Sequence, residues 1–226
     1  MTRAESVKRA AAALLVMLAC APRASAQREN RAGGLLLGAS GGYIEPRFRE
    51  SLKAVSRSSG GVTYGGEVGF IFGDHLYLSV AAHLFNTDGE RVFVAEPGGT
   101  VFKLGHPLKL RLVPAQATLG WRFFEKRTAG IVLTPYVGAG GGITSYHEES
   151  TIAGETRSFD VKKAGAHMLA GLELGGGNLR FAVEAGYATA PNALGDNPDG
   201  VSRVYGEKDI GGFTLLGKIV FNSGRR

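Results

Sequence analysis

The sequence is almost without cysteine. Cys20 is the only one in 226 residues, so no disulfide within the chain can stabilise it. Long hydrophobic runs are missing as well. After the N-terminal region, no stretch approaches the ~18 apolar residues of a membrane-spanning helix. Helical periodicity is also lacking: past the first residues, no segment reads better at ~3.6 residues per turn than at alternation. Like charges do not cluster in blocks. In the first 26 residues, Arg3, Lys8, Arg9 and Arg23 against Glu5 carry half of the net charge of +6. The remainder is only mildly basic and gives no case for nucleic acid as a partner. The five histidines, His75, His83, His106, His147 and His167, show no metal-ligand spacing. Neither a metal nor a cofactor is expected.

What is present begins with a targeting pattern. A basic start is followed by AAALLVMLACA and by Ala24-Ser25-Ala26. This predicts a signal peptide over residues 1–26, cut before Gln27. A second reading makes Leu18-Ala19-Cys20 a lipidation site, with Met17 a poor residue three before the cysteine. Glycine is the compositional outlier, 35 of 226 residues, about twice the usual ~7%.

From residue 27 to 226 the chain reads as one domain of eight alternating segments. They are expected near 34–44, 61–72, 76–86, 107–124, 131–146, 159–174, 179–189 and 210–221. In the fourth, Ala115, Ala117, Leu119, Trp121 and Phe123 share one face, whereas Leu108, Leu110 and Leu112 have the opposite parity. Pro114 sits at the switch and predicts a bulge. Three connections are short (73–75, 125–129 and 175–178). Four are long and polar (45–60, 87–106, 147–158 and 190–209). Short turns at one end and long loops at the other are the arrangement of a transmembrane β-barrel; a Greek-key sandwich has no reason to keep it.

The two faces of the segments differ in chemistry. One carries Val68, Phe70, Leu78, Leu119, Trp121, Phe181, Phe213 and Phe221. The other carries glycines and charges of both signs: Glu67, Arg122, Glu173, Arg180, Glu184 and Lys218. In water the apolar face would turn inward. Small and oppositely charged residues instead suit a narrow interior filled by paired ions, with the apolar face in hydrocarbon. The peptide TPYVGAGGGI (134–143) fits this arrangement. Val137, Ala139, Gly141 and Ile143 would face lipid, and Tyr136, Gly138, Gly140 and Gly142 the interior. There the glycines would leave room for a Tyr, Arg or Glu from other strands.

The segments TPYVGAGGGI, PAQATLGWRFF, HMLAGLEL and LRFAVEAGY resemble strands of the outer-membrane protein β-barrel family, which includes small OmpA/OmpX-like and OmpW-like barrels. The resemblance covers most of residues 34–221. It implies an all-β, eight-stranded antiparallel up-and-down barrel in the outer membrane of a two-membrane bacterium. Termini and short turns would face the periplasm. Family members commonly end on an aromatic residue read by the insertion machinery; here Phe221 is followed by Asn222 to Arg226.

Function is less legible. The charged set could serve as a gated ion path or as a static plug of salt bridges; the plug is the expectation, because an eight-stranded lumen is nearly full. Tyr146-His147-Glu148-Glu149-Ser150 holds the residue types of a hydrolase acting on lipid A, without the spacing of a triad. Asp196, Asn197, Pro198, Asp199 and Gly200 read as a plain turn rather than a calcium loop. Arg47, Arg49, Lys53 and Arg57 lie in the first long loop and are candidates to contact lipopolysaccharide. The expectation is a non-enzymatic, monomeric barrel. Its partners would be outer-membrane lipids, lipopolysaccharide and the insertion machinery. Its role would be structural or surface-interacting, with a narrow channel for small or hydrophobic solutes as the alternative.

Overall fold

The structure, a computed structural model, describes residues 33–73, 75–128, 131–152, 154–195 and 200–223. The expected signal peptide, Cys20 and most of the 196–200 turn lie outside the described residues. Strands run over Gly34–Pro46 (β1), Gly61–Phe72 (β2), Leu76–Val94 (β3), Val101–Arg122 (β4), Lys126–Thr128 (β5), Ile131–Ile152 (β6), Glu155–Gly176 (β7), Leu179–Thr189 (β8) and Gly212–Asn222 (β9). β5 is a stub that pairs only with the foot of β6. The other eight pair antiparallel, each with its neighbours in sequence. β1 meets β9, and β4 meets β6 from Leu108↔Ser150 to Arg122↔Tyr136, so the sheet closes on itself. Among the described residues no helix is long and apolar enough to cross a membrane. Closure is what lets strands do so, because every ladder amide finds a partner without water.

Orientation of the faces follows from burial. Trp121, Phe181 and Phe213 are 46%, 59% and 45% exposed, while Arg180 and Glu173 are 0% and 3% exposed. The apolar face therefore points out and the charged face in. Aromatic residues gather at both rims of the belt. Phe72, Trp121, Phe181 and Phe221 lie toward the short turns, and Tyr43, Tyr64, Tyr187 and Phe213 toward the long connections. His75 stacks on Trp121 at 5.1 Å between ring centroids. The short turn between β7 and β8 needs a left-handed residue, which Gly177 supplies at φ 62°.

Three expectations need correction. The parity switch at Pro114 is not a bulge. Pro114 stays in register opposite Thr144, and the β3–β4 ladder resumes beyond it in unchanged register. Leu108, Leu110 and Leu112 face the interior together with Pro114, Thr118 and Arg122. The lumen changes from apolar to charged along its length, and the face of the strand does not change. The register shift of this hairpin lies instead between Glu90 and Val92.

Secondly, the connections 87–106 and 147–158 are mostly strand. β3 and β4 rise as a hairpin to Val94 and Val101, and β6 and β7 to Ile152 and Glu155. Polar residues beyond the hydrocarbon do not hinder ladder formation, so polarity marked the end of the membrane and not the end of the strands.

Thirdly, the first long loop holds a helix, Arg49–Ser56 (α1). Phe48, Leu52 and Val55 recur at helical spacing, and Phe48 and Leu52 are buried. The helix has no side-chain cap of its own. Instead Glu207, from the last long connection, accepts hydrogen bonds from the backbone N–H groups of Glu50 (3.0 Å) and Ser51 (2.9 Å) and from the Ser51 hydroxyl (2.6 Å). A carboxylate there satisfies otherwise orphaned donors and meets the positive end of the helix dipole.

Placing a charge in the belt tests this orientation. Ala117→Arg puts a cation near the middle of the outward face and is expected to cost about 2–4 kcal/mol. Glu155→Gln, at an exposed hairpin end, is expected to stay within about 0.5 kcal/mol. Urea unfolding in lipid vesicles measures both.

Candidate functional site: a lumen closed at two levels

The lower level lies toward the short turns. Arg122 at the foot of β4 meets Glu173 of β7 as a two-pronged pair, Nη1–Oε1 2.5 Å and Nη2–Oε2 2.6 Å. Arg180 of β8 approaches the same carboxylate at 3.3 Å and donates to Thr134 Oγ1 at 3.0 Å. Its other terminal nitrogen lies 3.7 Å from Glu125. One turn of side chains further along, Lys218 of β9 bridges Glu67 (2.9 Å) and Glu184 (2.8 Å), and the Tyr136 hydroxyl donates to Glu184 at 2.9 Å. Arg122, Arg180 and Lys218 thus stand against Glu67, Glu173 and Glu184, with Glu125 at the edge. Charge balances within the buried set, which is the condition for keeping ions out of water.

All six charged residues singled out in the sequence lie in this network. Sequence reasoning overlooked Glu125, which sits in a connection counted as a plain turn, and Tyr77, whose inward position follows from the parity of β3. Tyr77 also explains one position of the glycine strip. A Cβ on Gly138 would lie 2.6 Å from the Tyr77 hydroxyl and 2.6 Å from Thr118. On Gly140 it would meet the His167 ring and the backbone of Ala117, and on Gly142 the backbone at Ala115 and Gln116. Of the Tyr, Arg or Glu expected there, the room serves a tyrosine, and beside it a histidine and a neighbouring strand. Glu67 is instead accommodated at Gly38.

The upper level is apolar. Phe48 and Leu52 of the first connection and Ala193, Leu194 and Ile210 of the last fold into the mouth. There they pack on Phe85, Leu108, Leu110, Leu112 and Tyr146 of the wall. Phe48 meets Tyr146 edge to face at 5.6 Å. Beneath α1 remains a chamber of about 60 Å³, lined by Leu52, Val55, Leu108, Leu110, Phe159 and others, with Arg91 and Glu148 at its edge. Between the two levels a cavity of about 40 Å³ is bordered by His83, Gln116, His167 and Glu184, enough for water. His83 bonds Ser40 at 3.1 Å and His167 bonds Thr118 at 2.8 Å.

The remaining candidates separate. Ser150 is buried on the inner face, and His147, on the outer face, bonds Asp160 at 2.7 Å. An odd number of residues between strand positions puts side chains on one face, and an even number puts them on opposite faces; Ser150 and His147 therefore cannot meet. His106 is half-buried on β4. No group of three or more His, Cys, Asp or Glu among the described residues is placed to hold a metal. Of the proposed lipopolysaccharide contacts, Arg47 is paired with Asp209 (3.5 Å) and donates to the Tyr187 hydroxyl. Arg49 is paired with Glu45 (3.3 Å) and Glu50 (3.4 Å). Lys53 lies on α1 and Arg57 ends it in the left-handed region at φ 66°. The helix covers the mouth, so neither stands on the lipid-facing wall.

No protein-family model and no curated protein matches the sequence. Solved structures do. The chain is similar to the outer membrane protein OprG from Pseudomonas aeruginosa at 10% identity and a TM-score of 0.53, over 85% of this chain and 96% of that one. It is similar also to Neisserial surface protein A at 14% identity and a TM-score of 0.49, over 85% and 99%. The similarity to OprG is one of fold. Together with the exposed apolar belt, it makes this chain a small eight-stranded β-barrel of the outer-membrane type.

Neutralising one member exposes the balance of the lower level. Glu173→Gln leaves Arg122 and Arg180 without their shared anion and is expected to cost about 3–5 kcal/mol. In Glu173→Gln/Arg122→Met the loss is expected to fall short of the sum of the two single losses, because the pair is removed together. Unfolding midpoints of the three variants in vesicles check both statements.

Proposed function

We propose that the protein is a structural and surface-interaction component of the outer membrane. One observation carries this reading: the lumen is obstructed twice, by a neutralised ion cluster toward the short turns and by an apolar plug at the mouth. Passage of a hydrated solute would require breaking the first, at the cost of unpaired buried charge, and withdrawing α1 from the second. A barrel so filled offers its partners the outer wall and the long-connection end, which we assign to the cell exterior. We assign no catalytic step.

A narrow path for small hydrophobic solutes is the second reading. It is favoured by the chamber beneath α1, where Leu52, Val55, Leu108, Leu110 and Phe159 would offer an aliphatic guest apolar contact. It requires the guest to leave the lumen before the ion cluster.

A planar bilayer tests the obstruction that both readings share. The reconstituted full chain is expected to show little or no steady conductance in molar salt. Large, steady, porin-like currents would overturn the sealed-barrel reading.

A further inference from the structure

The outer wall carries a polar patch directly above the belt, on the side formed by β3, β4, β6 and β7. Two rows cross β3, β4, β6 and β7. The lower is Asn86–Arg111–His147–Asp160 and the upper is Asp88–Lys109–Glu149–Ser158, each member the cross-strand partner of the next. Lys162 lies on the same face of β7, one outward step closer to the belt than Asp160. Asn86, Asp88, Lys109, Arg111, His147 and Glu149 border a groove of about 520 Å³.

Height and charge define what this groove fits. Ten residues separate Arg111 from Trp121 on β4. At ~3.3 Å per residue and a tilt of ~40°, Arg111 stands about 25 Å above the opposite aromatic rim, the full height of the apolar band of such barrels. It is therefore level with the headgroups of the outer leaflet. Two of the acids on this wall are engaged: Asp160 bonds His147 at 2.7 Å, and Glu90 above it holds Lys103 at 2.7 Å. The cations are not. Arg111 uses only its Nε, toward Asn86 at 3.2 Å. Lys109 and Lys162 have no hydrogen bond or ion pair among the described residues. Asp88 and Glu149, the two cross-strand neighbours of Lys109, stand against these three. Arg111 and Lys109 are two residues apart on one face, about 6.6 Å along the strand, a spacing that brackets a single phosphate. On the other side of the barrel the corresponding cation, Arg47, is already paired.

We propose that this wall is a binding site for a phosphorylated, acylated glycolipid of the outer leaflet. Arg111 and Lys109 hold its phosphate, Lys162 supports the acyl-proximal side of the headgroup, and the chains lie against Ala115, Ala117, Leu119 and Ile143 of the belt. Guanidinium supplies two parallel donors to phosphate, and ammonium a point charge beside them. The site is continuous with the hydrocarbon contact that the belt already makes. The proposal deepens the surface-interaction reading and rests on it only for the outer-membrane setting; bilayer conductance does not bear on it.

The test uses the full chain, purified in mild detergent and shown to be folded by its heat-dependent migration on gels. Native mass spectrometry reads the occupancy of added bisphosphorylated lipid A, dephosphorylated lipid A or phosphatidylglycerol. Bisphosphorylated lipid A is expected to bind at least about tenfold better than either of the others, and Arg111→Ala/Lys109→Ala to abolish that advantage; a tenfold change is about 1.4 kcal/mol. Lys53→Ala/Arg57→Ala is expected to retain it. Equal binding by the first double variant, or equal binding of the dephosphorylated lipid or of phosphatidylglycerol to the parent chain, overturns the proposal.

Discussion

Backbone hydrogen bonding in a medium without water is the constraint on which the molecule depends. A strand edge exposed to hydrocarbon would leave a row of amides unmade. The contact of β4 with β6 removes the last such edge, and with it the choice of which face sees solvent. Once the ring is closed, alternate side chains must go to lipid or to the lumen, and nothing lies between. The apolar exterior and the ion-filled interior are two results of that one closure.

A ring of eight strands leaves little room inside, so the lumen is built by subtraction. Gly138 yields to Tyr77 and Gly38 to Glu67. The space gained is filled with groups that complete one another's hydrogen bonding. Arg122, Glu173 and Arg180 form one unit, and Lys218 with Glu67 and Glu184 another. Each unit is tolerable only as a whole, since a single ion left over would have no water to turn to. This makes the lower lumen a rigid support for the wall around it.

The upper lumen solves a different problem. Beyond the bilayer the wall still has an inside, and Leu108, Leu110 and Leu112 line it. Water would otherwise fill that space, so α1 and the last connection cover it with Phe48, Leu52, Leu194 and Ile210. Glu207 ties the two connections together by capping a helix that belongs to the other one. The consequence is a covered mouth, with Arg111, Lys109 and Lys162 on the outer wall.

Much of the barrel could be read directly from residue order. Alternation determined which positions share a face, and the contrast between Trp121 or Phe181 on one side and Glu173 or Arg180 on the other determined that the chain meets lipid. The pairing of particular ions was decided only by the tertiary structure, because cross-strand register and the depth of a side chain in the lumen are set by ring closure and not by local pattern. Pro114 shows the limit plainly: the change from Leu112 to Ala115 looked like a change of face, when it was a change of surroundings along a face that stayed inside. The helix Arg49–Ser56 shows the same limit. Its single apolar stripe is too short to announce itself, and it forms because the mouth of the barrel offers a surface to bury it and a carboxylate from elsewhere in the chain to begin it.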